Sequence, residues 1–188
     1  LTYVNGGTRW SGVIPAVLLS LGHAFGVDMN RYLSAYGEQI TDQVAGHCIA
    51  AFAAAYPGLT IQRLVKPQYR NVFRVPALVT ILNKLIMGSA PGHPREPLLL
   101  GVGNADGRGD GIMIAGDVEA LAREYCRQGV PVSFDVYSGL PHTEAAIPFE
   151  TQALAFLGGR FLGLPAPNGC ASIGRGSSLA PLPRPGSG

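Results

Sequence analysis

The sequence predicts an α/β fold in which helices flank a parallel sheet. Residues 97–103 form a short apolar run bounded by turn residues, which is typical of a strand buried on both faces. Residues 130–137 alternate apolar and polar side chains, a period of two that also marks a strand. Because a helical segment separates them, the three elements form a βαβ unit, whose strands are expected to be parallel and joined by a right-handed crossover.

The segment between the two predicted strands is an amphipathic helix. Its apolar residues recur at helical spacing on one face, namely Ile114, Val118, Leu121 and Tyr125. Gly129 follows at a position where glycine commonly ends a helix. A further helix is predicted after the second strand, near residues 149–162.

The N-terminal half is predicted to be mainly helical. One apolar stripe follows Asp28, a suitable N-cap residue, and consists of Leu33, Tyr36, Ile40, Val44 and Cys48. Another helix is predicted over residues 79–87, after Pro76, whereas residues 57–75 carry mixed signals.

Two readable strands are fewer than an open α/β sheet usually has, so we expect further strands upstream. Residues 1–90 are too long for a simple crossover and are interpreted as a helical cap or lid insertion above the sheet. Residues 91–170 are assigned to the sheet domain. Residues 171–188, which are dense in Gly, Ser and Pro, are predicted to be a disordered tail.

Composition narrows the possible partners. The chain has 188 residues, 47% of them hydrophobic and 14% charged, and a net charge of +2 without any run of like charges. This composition fits one globular domain or part of one, and it disfavours nucleic acid as a partner. The longest apolar stretch, residues 12–27, is interrupted by polar residues and is too short to span a bilayer.

Each predicted strand ends in a polar loop, and one loop contains an acid while the other contains a base. Asp110 follows the first strand and His142 follows the second. Neighbouring parallel strands end at the same edge of a sheet, so the two loops are expected side by side. A carboxylate can fix the tautomer of an imidazole and stabilise it after it accepts a proton from a hydroxyl. Asp106 lies in the same loop as Asp110 and competes for the acid role.

Other sites are disfavoured. The spacing of Asn104, Asp106 and Asp110 resembles a calcium loop, but Arg108 stands where an oxygen ligand is needed and the final glutamate is missing. The glycines around Val102 resemble a dinucleotide motif, but Asp106 occupies the third glycine position. His23, His47 and His93 lack metal-site spacing, and no metal or organic cofactor is predicted.

The three cysteines leave two interpretations open. Cys126 and Cys170 could form a disulfide in an oxidising compartment, which would leave Cys48 unpaired. Alternatively, all three are buried free thiols.

The C-terminal half resembles the secretory lipase family of α/β-hydrolases. The residues that carry the resemblance are Gly103-Asn104-Ala105-Asp106-Gly107, Asp110-Gly111-Ile112-Met113-Ile114, Tyr125-Cys126, Gly129-Val130-Pro131-Val132, Tyr137-Ser138-Gly139, His142 and Ala153-Leu154-Ala155-Phe156-Leu157. The opening Leu1-Thr2-Tyr3-Val4-Asn5-Gly6-Gly7 and Tyr32-Leu33 are similar to the cap region of that family. The resemblance implies the C-terminal part of an α/β-hydrolase.

This resemblance implies a secreted carboxylic ester hydrolase, a triacylglycerol lipase, with a triad in the chain order Ser, Asp, His. Asp110 and His142 match the last two members, and the apolar residues after Asp110 favour it over Asp106. The sequence contains no Gly-x-Ser-x-Gly motif, so the serine and the oxyanion hole are expected upstream and the chain looks like a fragment. The family also supports the Cys126–Cys170 disulfide and an upstream partner for Cys48.

Two alternatives remain from the sequence. One is a non-catalytic remnant or binding module that keeps the C-terminal half of the fold. The other is a different α/β-hydrolase activity, such as that of a peptidase or an acyltransferase.

Overall fold

The computed structural model describes residues 3–174, which divide into two compact units. Tyr3–Leu85 form the first unit, and residues 86–174 belong to the second. The first unit is helical, and the second contains the sheet. That the first unit acts as a cap or lid over the sheet stays a prediction.

The first unit consists of helices and short 3-10 turns around an apolar core. Its helices are α1 (Ile14–Phe25), α2 (Ala35–Val44), α3 (Ile49–Ala55), α4 (Ile61–Leu64) and α5 (Pro76–Lys84). The 3-10 turns are Ser11–Val13, Met29–Arg31, Pro67–Tyr69 and Val72–Arg74. Leu33, Leu59 and Leu64 are among the fully buried side chains of this core.

The predicted helix after Asp28 begins later than expected. Asp28 caps only the 3-10 turn, where its Oδ1 accepts the N–H of Asn30, while Ser34 caps α2 by accepting the N–H of Gly37 at 3.1 Å. Cys48 lies beyond α2 and is exposed at the start of α3. The prediction that Cys48 ends the apolar stripe that includes Val44 was therefore wrong. The cap chemistry of Ser34 overrides the apolar spacing that began at Leu33.

Helix α5 spans Pro76–Lys84, so the expected range of residues 79–87 was shifted toward the C-terminus. Pro76 is the first residue of α5 rather than a breaker before it. Proline suits this position, because its ring presets the helical φ angle and no N–H is needed there.

The second unit contains the predicted βαβ arrangement. Strand β1 (Leu98–Asn104) pairs in parallel with β2 (Val132–Ser138), in a register that runs from Leu98 opposite Val132 to Asn104 opposite Ser138. Helix α6 (Ala115–Arg127) connects them and buries its apolar face. The N–H of Gly129 donates to the carbonyl of Cys126 just after α6, as expected for a helix end.

Strand β1 is less buried than predicted. Val102 and Gly103 are buried, but residues 98–101 are partly exposed. Among the described residues the sheet has two strands, so one edge of β1 has no strand beside it.

Helix α7 (His142–Phe161) begins well before the predicted residue 149. Pro148 lies inside it, where the missing N–H removes one helical hydrogen bond without ending the helix. The early start makes His142 the first residue of α7.

The last described element is helix α8 (Cys170–Ile173), and a disulfide joins Cys126 of α6 to Cys170. The disordered tail was expected to begin at residue 171, which is wrong, because residues 171–173 belong to α8. The bridge and a hydrogen bond from the N–H of Gly169 to the carbonyl of Val132 hold this segment. Residues 175–188 of the expected tail lie outside the described residues. Within residues 3–174, none of the helices has the length and apolarity needed to cross a membrane.

Candidate active site

Asp110 lies in the loop between β1 and α6, and its side chain is fixed by the loop backbone. Its Oδ1 accepts the N–H groups of Ile112 at 2.9 Å and Met113 at 2.7 Å. Gly111 adopts a φ of +93°, which glycine tolerates, and this lets the chain fold back over the carboxylate. Only 3% of Asp110 is exposed. A buried carboxylate is costly unless it is hydrogen-bonded, so these donors make its burial possible.

His142 reaches the site because α7 starts directly beyond the end of β2. The N–H of Gly139 donates to the carbonyl of Asn104 at 3.2 Å, which ties the loop after β2 to the end of β1. The N–H of His142 then donates to the main-chain carbonyl of Asp110 at 3.0 Å. The first amides of a helix lack intrahelical partners, so this bond satisfies one of them.

The two side chains meet in a direct hydrogen bond. Nδ1 of His142 lies 2.8 Å from Oδ2 of Asp110, and 42% of the His142 side chain is exposed. A carboxylate at Nδ1 selects the tautomer that carries its proton there, which leaves Nε2 as the basic nitrogen. The pair can therefore accept a proton at Nε2 and stabilise the resulting positive charge.

Asp106 has a different task in the same loop. Its Oδ1 accepts the N–H groups of Arg108 at 2.8 Å and Gly109 at 2.7 Å, and the residue is exposed. Such bonds close a turn, as aspartate side chains commonly do. The hydrogen bond to His142 is made by Asp110.

The amide donors of Ile112 and Met113 were not identified from the sequence. The signal was present in Asp110-Gly111, since Asp followed by Gly is typical of a turn in which the carboxylate accepts downstream amides. The sequence could not show that these amides orient a carboxylate toward a histidine.

Tyr137 connects β2 to α7 through its side chain. Its hydroxyl donates to Oε1 of Gln152. Burial raises the pKa of the Tyr137 hydroxyl, and the negative charge of Asp135 raises it further. The hydroxyl thus stays protonated and acts as a neutral donor.

Comparisons with known proteins agree with this architecture. A family model described as secretory lipase matches residues 2–169. No curated protein sequence matches the chain. Candida antarctica lipase A in its closed state matches with a TM-score of 0.68 and 20% identity, over 95% of this chain and 44% of that one.

A second structure of Candida antarctica lipase A matches with a TM-score of 0.71 and 20% identity, over 94% of this chain and 42% of that one. This chain therefore spans less than half the length of either lipase structure. The likeness shows the fold, which is that of an α/β-hydrolase.

Proposed function

This chain belongs to the secretory lipase family, and we propose that Asp110 and His142 are the acid and the base of a Ser-Asp-His triad. The parent protein is then a carboxylic ester hydrolase, a secreted triacylglycerol lipase. The observation that carries the proposal is the 2.8 Å hydrogen bond between Oδ2 of Asp110 and Nδ1 of His142.

The proposed reaction is acyl transfer through a covalent intermediate. The serine attacks the ester carbonyl while Nε2 of His142 takes the hydroxyl proton, and His142 then gives this proton to the leaving alcohol. Water releases the acyl group from the serine by the same steps, with His142 again acting as base and then as acid. Asp110 holds the ring in place and stabilises the imidazolium. This reaction requires no metal or organic cofactor.

We place the serine and the oxyanion hole upstream of residue 1 in the parent protein. In this fold the nucleophile sits on a strand-to-helix turn with a Gly-x-Ser-x-Gly motif, and the sequence contains none. The chain's coverage of less than half of either lipase A structure supports this placement. We also propose that residues 1–90, which are too long for a simple crossover, form the cap or lid.

An extracellular location is proposed from two observations. The matching family model is described as secretory, and the Cys126–Cys170 disulfide suits an oxidising compartment. Lipid or other ester is the proposed substrate class.

The test is a substrate panel on the purified parent protein and its His142→Ala variant. The panel holds an emulsified triacylglycerol, a soluble nitrophenyl ester and a peptide amide. The proposal expects hydrolysis of both esters and loss of nearly all of it in the variant. Cleavage of the amide alone would indicate a peptidase, and a folded parent that hydrolyses nothing would indicate a non-catalytic relative.

A further inference from the structure

At Gly103 two loops pack closely against the sheet: the loop between β1 and α6, which holds Asp110 (the acid loop), and the loop between β2 and α7, which leads to His142 (the base loop). It is buried, next to the last residue of β1. A Cβ atom added there would lie 2.2 Å from the carbonyl oxygen of Leu140 and 2.9 Å from the Cβ of Asp110. It would also lie 3.1 Å from the Cβ of Ala145, in the first turns of α7.

These contacts leave no room for a side chain. Real Cβ atoms essentially never approach other atoms closer than 3.0 Å, so the carbonyl of Leu140 would have to move away from β1. That carbonyl belongs to the main chain, two residues before His142, and cannot rotate aside as the end of a long side chain can. Asp110 would be pushed from the same point.

The 2.8 Å hydrogen bond between Asp110 and His142 therefore depends on the absence of a side chain at Gly103. Asp110 and His142 belong to the two segments that a larger residue would displace. Hydrogen bonds of this kind weaken outside a narrow range of distance and angle, so a shift of either segment disturbs the bond.

We propose that Gly103 is a positioning residue for the Asp110–His142 pair. It contacts no reacting atom, and it acts by letting the two loops approach β1 closely enough to align Nδ1 with Oδ2. Its effect on turnover rests on the proposed lipase function, whereas its effect on the pair's geometry does not.

Gly101 offers a matched control on the same strand. Neither Gly101 nor Gly103 has a positive φ, so an alanine at either position is strained only by its contacts. A Cβ at Gly101 would lie 2.6 Å from the ring of Phe149 and 3.0 Å from the ring of Tyr137. Gly101→Ala thus crowds the same region of β1, but it presses on aromatic side chains instead of on Leu140 and Asp110.

The first test is NMR of the 188-residue chain labelled with ¹⁵N-histidine. The proton on Nδ1 of His142 is expected to give a signal that its hydrogen bond to Asp110 protects from exchange, and His142→Gln should assign that signal by removing it. Gly103→Ala is expected to abolish that signal or speed its exchange at least about tenfold, while Gly101→Ala retains it. An unchanged signal in folded Gly103→Ala overturns the proposal, as does equal loss in both variants.

Ala145→Val provides the same test from α7 if Gly103→Ala does not fold. The added methyl groups push α7 away from Gly103 while β1 keeps its sequence, so the signal should weaken again. A folded Ala145→Val with an unchanged signal then overturns the proposal.

The second test uses the parent lipase. Gly103→Ala is expected to lower kcat at least about tenfold with little change in KM, since small misplacements of catalytic groups are costly. Gly101→Ala should leave kcat within about twofold. If the wild-type parent hydrolyses no ester while the NMR signal still responds to Gly103→Ala, the proposed function fails and the positioning role stands. Equal kcat losses in the two glycine variants would refute the role in turnover.

Discussion

The main-chain N–H of His142 donates to the main-chain carbonyl of Asp110 at 3.0 Å, and the side chains of the same two residues bond at 2.8 Å. The first helical residue of α7 is thus tied to the acid loop twice. The backbone bond positions the start of α7, and the side-chain bond orients the imidazole. Because both bonds end on Asp110, the geometry of this one residue controls that of the His142 imidazole.

Loss of either side chain of the pair should nearly abolish activity. In the parent protein, which we propose to be a lipase, Asp110→Ala and His142→Ala should each lower kcat by about three orders of magnitude or more, as triad deletions generally do. Steady-state hydrolysis of a soluble ester measures this directly. Asp106→Ala is the matched control, because it removes a carboxylate from the same loop. It should cost about 1 kcal/mol of stability through the lost turn bonds and change kcat little. A loss of kcat in Asp106→Ala as large as that expected for Asp110→Ala would show that the acid has been assigned to the wrong residue.

The 188-residue chain by itself should hydrolyse no ester. Its sequence lacks the Gly-x-Ser-x-Gly motif, and without a nucleophile the covalent route is closed. A serine-directed fluorophosphonate should leave the folded chain unlabelled while labelling the parent protein. Stoichiometric labelling of the chain would mean that one of its own serines is activated.

The disulfide should contribute substantially to the stability of the sheet unit. It closes a loop with a sequence separation of 44, for which chain entropy in the unfolded state predicts a loss of about 3–4 kcal/mol in the Cys126→Ser, Cys170→Ser double variant. Urea unfolding followed by circular dichroism measures the change. Cys48→Ser is the control, and it should shift stability by less than about 0.5 kcal/mol because Cys48 is exposed. Equal curves for the wild type and the double variant would contradict the expectation.

The end of α6 should respond to acid through Glu124. Hydrogen bonds from Arg127 hold the pKa of the Glu124 carboxyl below its usual range. A carboxyl whose pKa is lower in the folded than in the unfolded state stabilises the fold at pH values above its unfolded pKa, near 4.5. This stabilisation is lost as the pH falls through the pKa of the folded state. The wild type should therefore lose more stability on acidification than Glu124→Gln. Urea midpoints measured from pH 6 to pH 3 test this, with Glu119→Gln, which removes the α6 carboxylate paired with Arg123, as the comparison. Parallel midpoints for the wild type and Glu124→Gln would exclude the contribution.

The βαβ unit was predictable because its signals are local. The apolar run of β1, the alternation in β2 and the glycine after α6 each describe the chain within a few residues, and backbone geometry converts such periods directly into elements. Because neighbouring parallel strands end at the same edge of a sheet, the strand ends also predicted that the loops holding Asp110 and His142 would lie side by side. The same local reasoning misplaced the starts of α2 and α7, because a capping bond at Ser34 and a proline tolerated at position 148 override simple spacing.

The sequence by itself determined that an acid and a base follow neighbouring parallel strands. Only the tertiary structure decided that Asp110 bonds to His142, a residue 32 positions away. Side-chain direction within a loop depends on which backbone amides a carboxylate accepts, and spacing does not encode this choice. The close approach at Gly103 was likewise invisible, because it arises where β1, the acid loop and α7 pack together, and packing is a property of the folded chain.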